Sequence, residues 1–256
     1  MFENLKTDAS VTAETDVVMG GSFILDTNIY DMNVDMAYFD QAASGAMSLN
    51  IVTVNAAKQT HKETLWMTSG TAKGGRNFYM VKDQNRQETG EKRYLPGFLV
   101  ANAICLLTVG KEVGDMIPEE KVINVWNSEA GKEMPTPKQV LTELIGMPIS
   151  LGILKTIQDI TTKVGNDFIE TGASRYNNEI NKVFRTKDHL TVPEITAEIT
   201  EPAFYDKWLN TNTTETIIDK TKDKIGLVSK ENAANPNSAS NTAGTDAAPK
   251  KKLFGQ

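Results

Sequence analysis

Apolar and polar residues alternate along SFILDTNIYDMNVDMAYFD (22–40), where Ile29, Met32, Val34, Met36 and Tyr38 recur near every second position. A period of two is the signature of a strand with one buried face. MSLNIVTVNA (47–56) repeats it, with Leu49, Ile51, Thr53 and Asn55 on one face and Val52 and Val54 on the other. HKETLWMTS (61–69) predicts a third strand after a short polar break. Together these segments predict consecutive antiparallel strands, long and curved.

The period then changes. Pro96 and Gly97 punctuate the chain, and FLVANAICLLTVG (98–110) predicts a helix with Leu99, Ala103, Leu106 and Leu107 on its apolar face and Gly110 as its stop. VINVWN (122–127) reads as a strand. Pro135-Thr136-Pro137 opens a second predicted helix, KQVLTELIGM (138–147), which ends near Gly146 and Pro148. ISLGILKTIQDITT (149–162) and NEINKVFRT (178–186) return to strand, and PAFYDKWLNTN (202–212) predicts a short helix with Phe204 and Trp208 facing the core. No internal repeat is visible.

The ends differ from this body. Residues 1–17 form a polar lead-in. ENAANPNSASNTAGTDAAPKKKLFGQ (231–256) has almost nothing to bury, and such a segment does not offset the entropy of ordering. The expected organisation is a lead-in (1–17), one domain (18–228) and a disordered tail (229–256). The fold class expected is α+β and β-rich, an OB-fold-like antiparallel barrel with helical and strand insertions. An elaborated α+β sandwich gives the same coarse pattern.

Composition narrows the class without choosing a function. Of 256 residues, 39% are hydrophobic and 23% charged, as in ordinary soluble proteins. The single cysteine excludes an intramolecular disulfide. The N-terminus has no basic segment leading into an apolar run, and no stretch approaches the roughly 20 apolar residues of a membrane helix. A soluble intracellular protein is expected.

Charge changes the picture. The chain has 27 Lys+Arg against 33 Asp+Glu, net −6. Residues 58–94 nevertheless hold eight basic residues (Lys58, Lys62, Lys73, Arg76, Lys82, Arg86, Lys92, Arg93) and four acids (Glu63, Asp83, Glu88, Glu91), net +4. The remainder is therefore −10. Trp66, Phe78, Tyr79 and Tyr94 lie among these charges. Cations that track phosphates, interleaved with rings on which bases stack, are what a single-stranded nucleic acid requires. The DNA-binding candidates are Lys62, Trp66, Lys73, Arg76, Phe78, Tyr79, Lys82, Arg86, Lys92, Arg93 and Tyr94. The competing reading, a solvated basic hairpin with Trp66 and Phe78 in the core, stays open at this point.

Catalytic signatures are missing from the sequence. In GTAKGGRN (70–77), Gly70 and Gly75 have phosphate-loop spacing, but Arg76-Asn77 replace the required Lys-Ser/Thr. His61 and His189 lack ligand-spaced partners, and Cys105 sits in an apolar helix as a core filler. Asp26, Asp31, Asp35 and Asp40 could furnish a metal-dependent nuclease, though scattered acids usually form a solvated face. No catalytic residue, metal or cofactor is expected. At the C-terminus, Lys250, Lys251, Lys252, Leu253 and Phe254 make a basic-apolar tip suited to docking on a partner.

GGSFILDTNIYDMNV (20–34), KETLWMTSGTAKGGRNFY (62–79), KRYLPGFLVANAICLL (92–107) and IGMPISLGILK (145–155) resemble the single-stranded DNA-binding proteins of tailed bacteriophages. RYNNEINKVF (175–184) and KKLFG (251–255) add to the likeness. The resemblance implies an OB-like core that coats single-stranded DNA in phage replication, recombination and repair, without enzymatic activity or a cofactor. It implies a place in the cytoplasm of the infected bacterium. It also implies recruitment of replication, recombination or transcription proteins through the tip. Bacterial counterparts end in an acidic-apolar tip, so the basic tip leaves its own partner unassigned. A phage structural or adaptor protein is the alternative.

Overall fold

In the computed structural model, which describes residues 23–127, 130–165, 167–221 and 224–228, the first three predicted strands form. They are β1 (Asn28–Gln41), β2 (Met47–Asn55) and β3 (Thr60–Trp66), paired antiparallel in order. The alternation of β1 is broken by a register shift between Val34 and Met36. Met32 and Val34 are buried before it, Ala37 after it, so Met36 and Tyr38 leave the face they share with Val34 in an unbroken period of two. An extra residue of this kind bends a strand and increases its twist.

On its edge away from β2, one long strand thereby serves two partners. Asn28–Asn33 pairs with β8 (Pro148–Val164), while Tyr38 and Phe39 pair with β7 (Lys132–Val140). Residues 141–147 wrap the bulge between them: Ala37 O accepts from Leu141 N at 2.8 Å, and Val34 O accepts from Gly146 N at 2.7 Å. The helix expected over 138–147 is absent. Strand β7 runs through Val140 and only a 3-10 turn, Thr142–Leu144, follows. Leu141 and Leu144 are fully buried at helical spacing, but the backbone here is held by β1 instead of by its own turns. Pro135 and Pro137, taken for a helix start, lie in the ribbon that β7 makes with β6 (Glu119–Asn127). Prolines two apart put both missing N–H groups on one edge, and beside these two no ladder runs on the edge away from β6.

Strands β4 (Phe78–Lys82) and β5 (Glu88–Tyr94) form a separate two-stranded hairpin. Helix α1 (Pro96–Thr108) follows and packs on β3 and on β9 (Asp167–Phe184), with a smaller contact to β8. Its buried residues are Ala101, Ile104, Cys105 and Leu107. Leu99, expected inside, is 52% exposed. The helix is apolar almost all round, so periodicity predicted its existence and not its rotation.

Strand β9 (Asp167–Phe184) pairs along β8. Two helices then cover its end, α2 (Val192–Thr196) and α3 (Ala203–Thr211). Strand β10 (Ile217–Thr221) runs parallel to β8, and β11 (Lys224–Val228) pairs with β10. Trp208 of α3 is buried as expected and donates its indole N–H to Asn181 Oδ1 at 2.8 Å.

The core is one cluster that includes Leu25, Met32, Leu49, Ile51, Leu65, Ile104, Leu144, Ile149 and Leu151. Each such side chain stabilises the fold by roughly 1.5–3 kcal/mol relative to exposure. The nine-stranded sheet curls without closing into a ladder-bonded barrel: β3 and β9 share no register. A single carboxylate spans the seam. Glu63 Oε2 accepts the Ile180 backbone N–H at 2.7 Å and lies 3.0 Å from His61 Nε2. No described helix is long and apolar enough to cross a membrane.

Candidate nucleic-acid interface

The basic stretch begins where β3 ends at Trp66. Its loop is pinned to the β1–β2 turn: Ser44 O accepts from Thr71 N at 2.8 Å and from Thr71 Oγ1 at 3.1 Å. The glycines serve this packing. A Cβ at Gly70 would meet Ser44 O at 2.9 Å, and one at Gly45 would meet Thr71 Cγ2 at 2.5 Å. Gly74 and Gly75 take φ of 85° and 58°, which turns the chain so that Arg76 O accepts from Ser69 N at 2.8 Å. The loop is a fixed platform presenting Lys73 and Arg76, both exposed.

The hairpin then sorts its rings onto two faces. Phe78 pairs with Tyr94 and Met80 with Lys92, whereas Tyr79 pairs with Arg93 on the opposite face. Phe78 is half-buried and covered by cations, with Arg76 5.7 Å and Lys92 5.0 Å from its ring centre. Its cation–π contacts hold the loop to the hairpin. Trp66, Tyr79 and Tyr94 are open, at 48%, 45% and 53% exposure. Tyr94 leans on Phe98 of α1 with ring centres 5.1 Å apart. Core placement of Trp66 is thus excluded, and Phe78 lies between the two readings.

The far end carries Lys82 and Arg86, about the tip that closes 83–87. Asp83 Oδ1 accepts from Asn85 N and Gln87 N at 2.9 and 2.8 Å, and Arg86 takes φ 63°. Arg93 is bonded to Glu91 at 2.7 Å, and this hydrogen bond raises its pKa further. It is the single member of the eight cations held in an ion pair among the described residues. Elsewhere ion pairs occupy Lys111, Lys121, Lys138, Lys155, Arg185 and Lys220.

Lys62 lies at the other end of β3, on the same outer face as exposed Thr64 and Trp66. Four steps along the strand take it to Trp66, about 13 Å at ~3.3 Å per residue. The same face continues through Asn50 to Tyr38 in register. Lys138 stands 5.9 Å from the Tyr38 ring centre and 2.7 Å from Asp40 Oδ2. Sequence reasoning missed Tyr38 and Lys138, because the signal is sheet register and the bulge of β1. A cleft of about 770 Å³ opens along the seam beside this face, lined by Trp66, Lys73, Gly97 and Val100 together with Glu63 and Glu179. Its two carboxylates make it a poor phosphate track, and of the open cations Lys73 alone is among its lining residues.

The other chemical candidates fall apart spatially. Asp26 pairs with Lys155, Asp31 accepts from Ser150 and Asp40 pairs with Lys138. Among the described residues no three potential ligands gather for a metal. Cys105 is buried, and desolvation pushes its thiol up to about 12. Lys250, Lys251, Lys252, Leu253 and Phe254 lie outside the described residues. No family model, curated protein or solved structure matches the chain.

Proposed function

We propose that this chain is a sequence-independent single-stranded DNA-binding protein without enzymatic activity, built on an OB-like barrel whose last seam is bridged by Glu63. The observation that carries the reading is the set of unneutralised cations beside open rings. Among the described residues outside the stretch, Lys111, Lys121, Lys138, Lys155, Arg185 and Lys220 find carboxylates and Lys132, Arg175, Lys182, Lys187 and Lys207 do not, whereas within it Lys62, Lys73, Arg76, Lys82, Arg86 and Lys92 stand together with none. Polyphosphate supplies the missing countercharge, and Trp66, Tyr79 and Tyr94 offer faces worth roughly 1–3 kcal/mol per stacked base. Phe78, clamped by two cations, positions them. The resemblance to phage proteins supports the same role, in coating single strands within an infected bacterium, with the C-terminal tip recruiting a replication, recombination or transcription partner.

Titration of labelled oligo-dT and its duplex at several salt concentrations tests the reading. The single strand binds tightly and the duplex weakly. Binding falls with salt, and Arg76→Ala flattens the slope of log affinity against log salt by about 0.7, the release expected of one single-strand phosphate contact. Failure to bind oligo-dT at low salt would refute the proposal.

One observation favours a second reading, a protein-binding adaptor. The β6–β7 ribbon exposes Val122 and Trp126, at 70% and 65%, on one face with Pro135 and Pro137. Under that reading Trp126→Ala abolishes a protein partnership and the protein ignores oligonucleotides.

A further inference from the structure

At the Lys62 end of β3, away from the hairpin, lies a second cavity of about 570 Å³. Its walls are Phe23 and Ile24 from the start of the described chain, Lys58 to Lys62 from the β2–β3 turn, and Asn177 and Asn178 from β9. Among the described residues no carboxylate lines it. The Phe23 ring is 60% exposed although the adjoining Leu25 is in the core. Lys58 and Lys62 make no ion pair among the described residues.

The turn that holds Lys58 is tightly made. Asn55 O accepts from Lys58 N at 3.0 Å, Asn55 Oδ1 accepts from Gln59 N at 2.9 Å, and Asn55 Nδ2 donates to Gln59 Oε1 at 2.7 Å. Lys58 itself sits at φ 62°, a left-handed conformation in which glycine or asparagine is at ease. A lysine here costs stability that a glycine would not, and strain of this kind clusters at ligand clamps. What the position gains is a lysine in the lining of a polar cavity that Lys62 and Phe23 also line.

We propose that this cavity is a second nucleotide subsite of the strand path. One phosphate lies between Lys58 and Lys62, one base lies on Phe23, and the Asn177 amide and Thr60 hydroxyl are within the same walls to meet the base edge. The proposal rests on the single-strand reading above and adds a direction and a minimum length to it. The bound strand runs along β3 from the Trp66–Arg76 end to the Lys58 end. The seven residues Thr60–Trp66 span about 20 Å at ~3.3 Å per step. A strand stacked at ~3.4 Å per nucleotide needs about six nucleotides to reach both ends. Shorter oligonucleotides occupy one end only.

Phe23→Ala and Lys58→Gly test this, the latter removing the charge while relieving the left-handed strain, so that its fold is kept. Anisotropy is measured with oligo-dT of four and of sixteen nucleotides, alongside thermal melting of each variant and binding of free thymidine monophosphate. The expected result is about tenfold weaker binding of the sixteen-mer by each variant, with the four-mer unchanged and the melting temperature of Lys58→Gly equal to or above wild type. Wild-type binding of the sixteen-mer that both variants match overturns the subsite and leaves the single-strand reading standing. Equal loss for four-mer and sixteen-mer also overturns it, since the cavity would then lie at the primary site. Monophosphate binding that is lost in Phe23→Ala without change in the sixteen-mer identifies a free-nucleotide site instead. A wild type that binds neither oligonucleotide refutes both proposals.

Discussion

Gly97 offers a sharp test of how the interface is held. It is the second residue of α1, and a Cβ there would sit 2.4 Å from Trp66 O, 2.7 Å from Trp66 N and 2.9 Å from Trp66 C. All three are backbone atoms, so no side chain can swing aside. Ordinary carbon contacts need about 3.5 Å or more, so Gly97→Ala forces the helix start and the end of β3 apart by on the order of 1 Å. Overpacking of this size costs typically 1–3 kcal/mol. The better helix propensity of alanine returns at most about 1 kcal/mol. The net expectation is destabilisation of about 1–2 kcal/mol, read as a lower urea midpoint at constant slope. Gly114→Ala is the control: nothing lies within 4 Å of its added Cβ. It should leave the midpoint unchanged or raise it, because alanine restricts the unfolded chain. Because the same contact holds the Trp66 backbone against the start of the helix that carries Phe98, Gly97→Ala should also weaken oligonucleotide binding. A midpoint equal to that of Gly114→Ala would refute the close-packing argument.

Trp208→Ala empties a site where the indole lies 3.1 Å from a Cβ built at Gly152 and loses the bond to Asn181, and equilibrium unfolding should register a loss of about 3–5 kcal/mol. Glu194 is buried at the start of α2, and burial acts to raise its pKa. The Thr191 and Phe204 backbone N–H groups, the Thr191 hydroxyl and nearby Lys182 outweigh that and hold it below the ordinary 4.5. Its contribution is therefore full above that value and lost as pH falls through the lowered folded value, so Glu194→Gln should show a shallower acid-side decline in unfolding free energy than wild type. With its thiol raised to about 12, Cys105 should resist an aromatic disulfide reagent at mildly alkaline pH while folded and react fully in denaturant.

What was legible in the sequence was whatever a single period encodes. β2 alternates without interruption and its faces emerge as read, and β3 forms where a third strand is expected. β1 misleads after Val34 because a bulge leaves no mark on composition. The segment around Leu141 and Leu144 carries helical spacing for a different reason: both leucines enter the core from a turn that wraps that bulge. For β4 and β5 the sequence offers a solvated hairpin as one of two readings and no strand bounds, since β5 is exposed at every position and has no buried face to alternate with. The candidate interface shows the same division. Its charges and rings were visible as residue types, but the split of Phe78 and Tyr94 from Tyr79 needs cross-strand register. Phe23 lay far from the basic run in sequence, and only the fold carries it to Lys58.

Glu63 gives the molecule an asymmetric hinge line. Every other boundary between neighbouring strands of the sheet is a ladder that must be unzipped bond by bond, whereas β3 and β9 are joined by one carboxylate oxygen, shared between Ile180 N–H and His61, and by α1 packed across both. Releasing that latch and loosening α1 parts the sheet at a place where no backbone pairing is lost. The Ile180 amide then becomes a clock for the molecule's breathing: its exchange with solvent deuterium counts seam openings, while amides in the β1–β2 ladder wait for far larger excursions. Since the seam is also a wall of the cleft beside Trp66, a strand laid across β3 would be felt at Ile180 as a slowing of that clock.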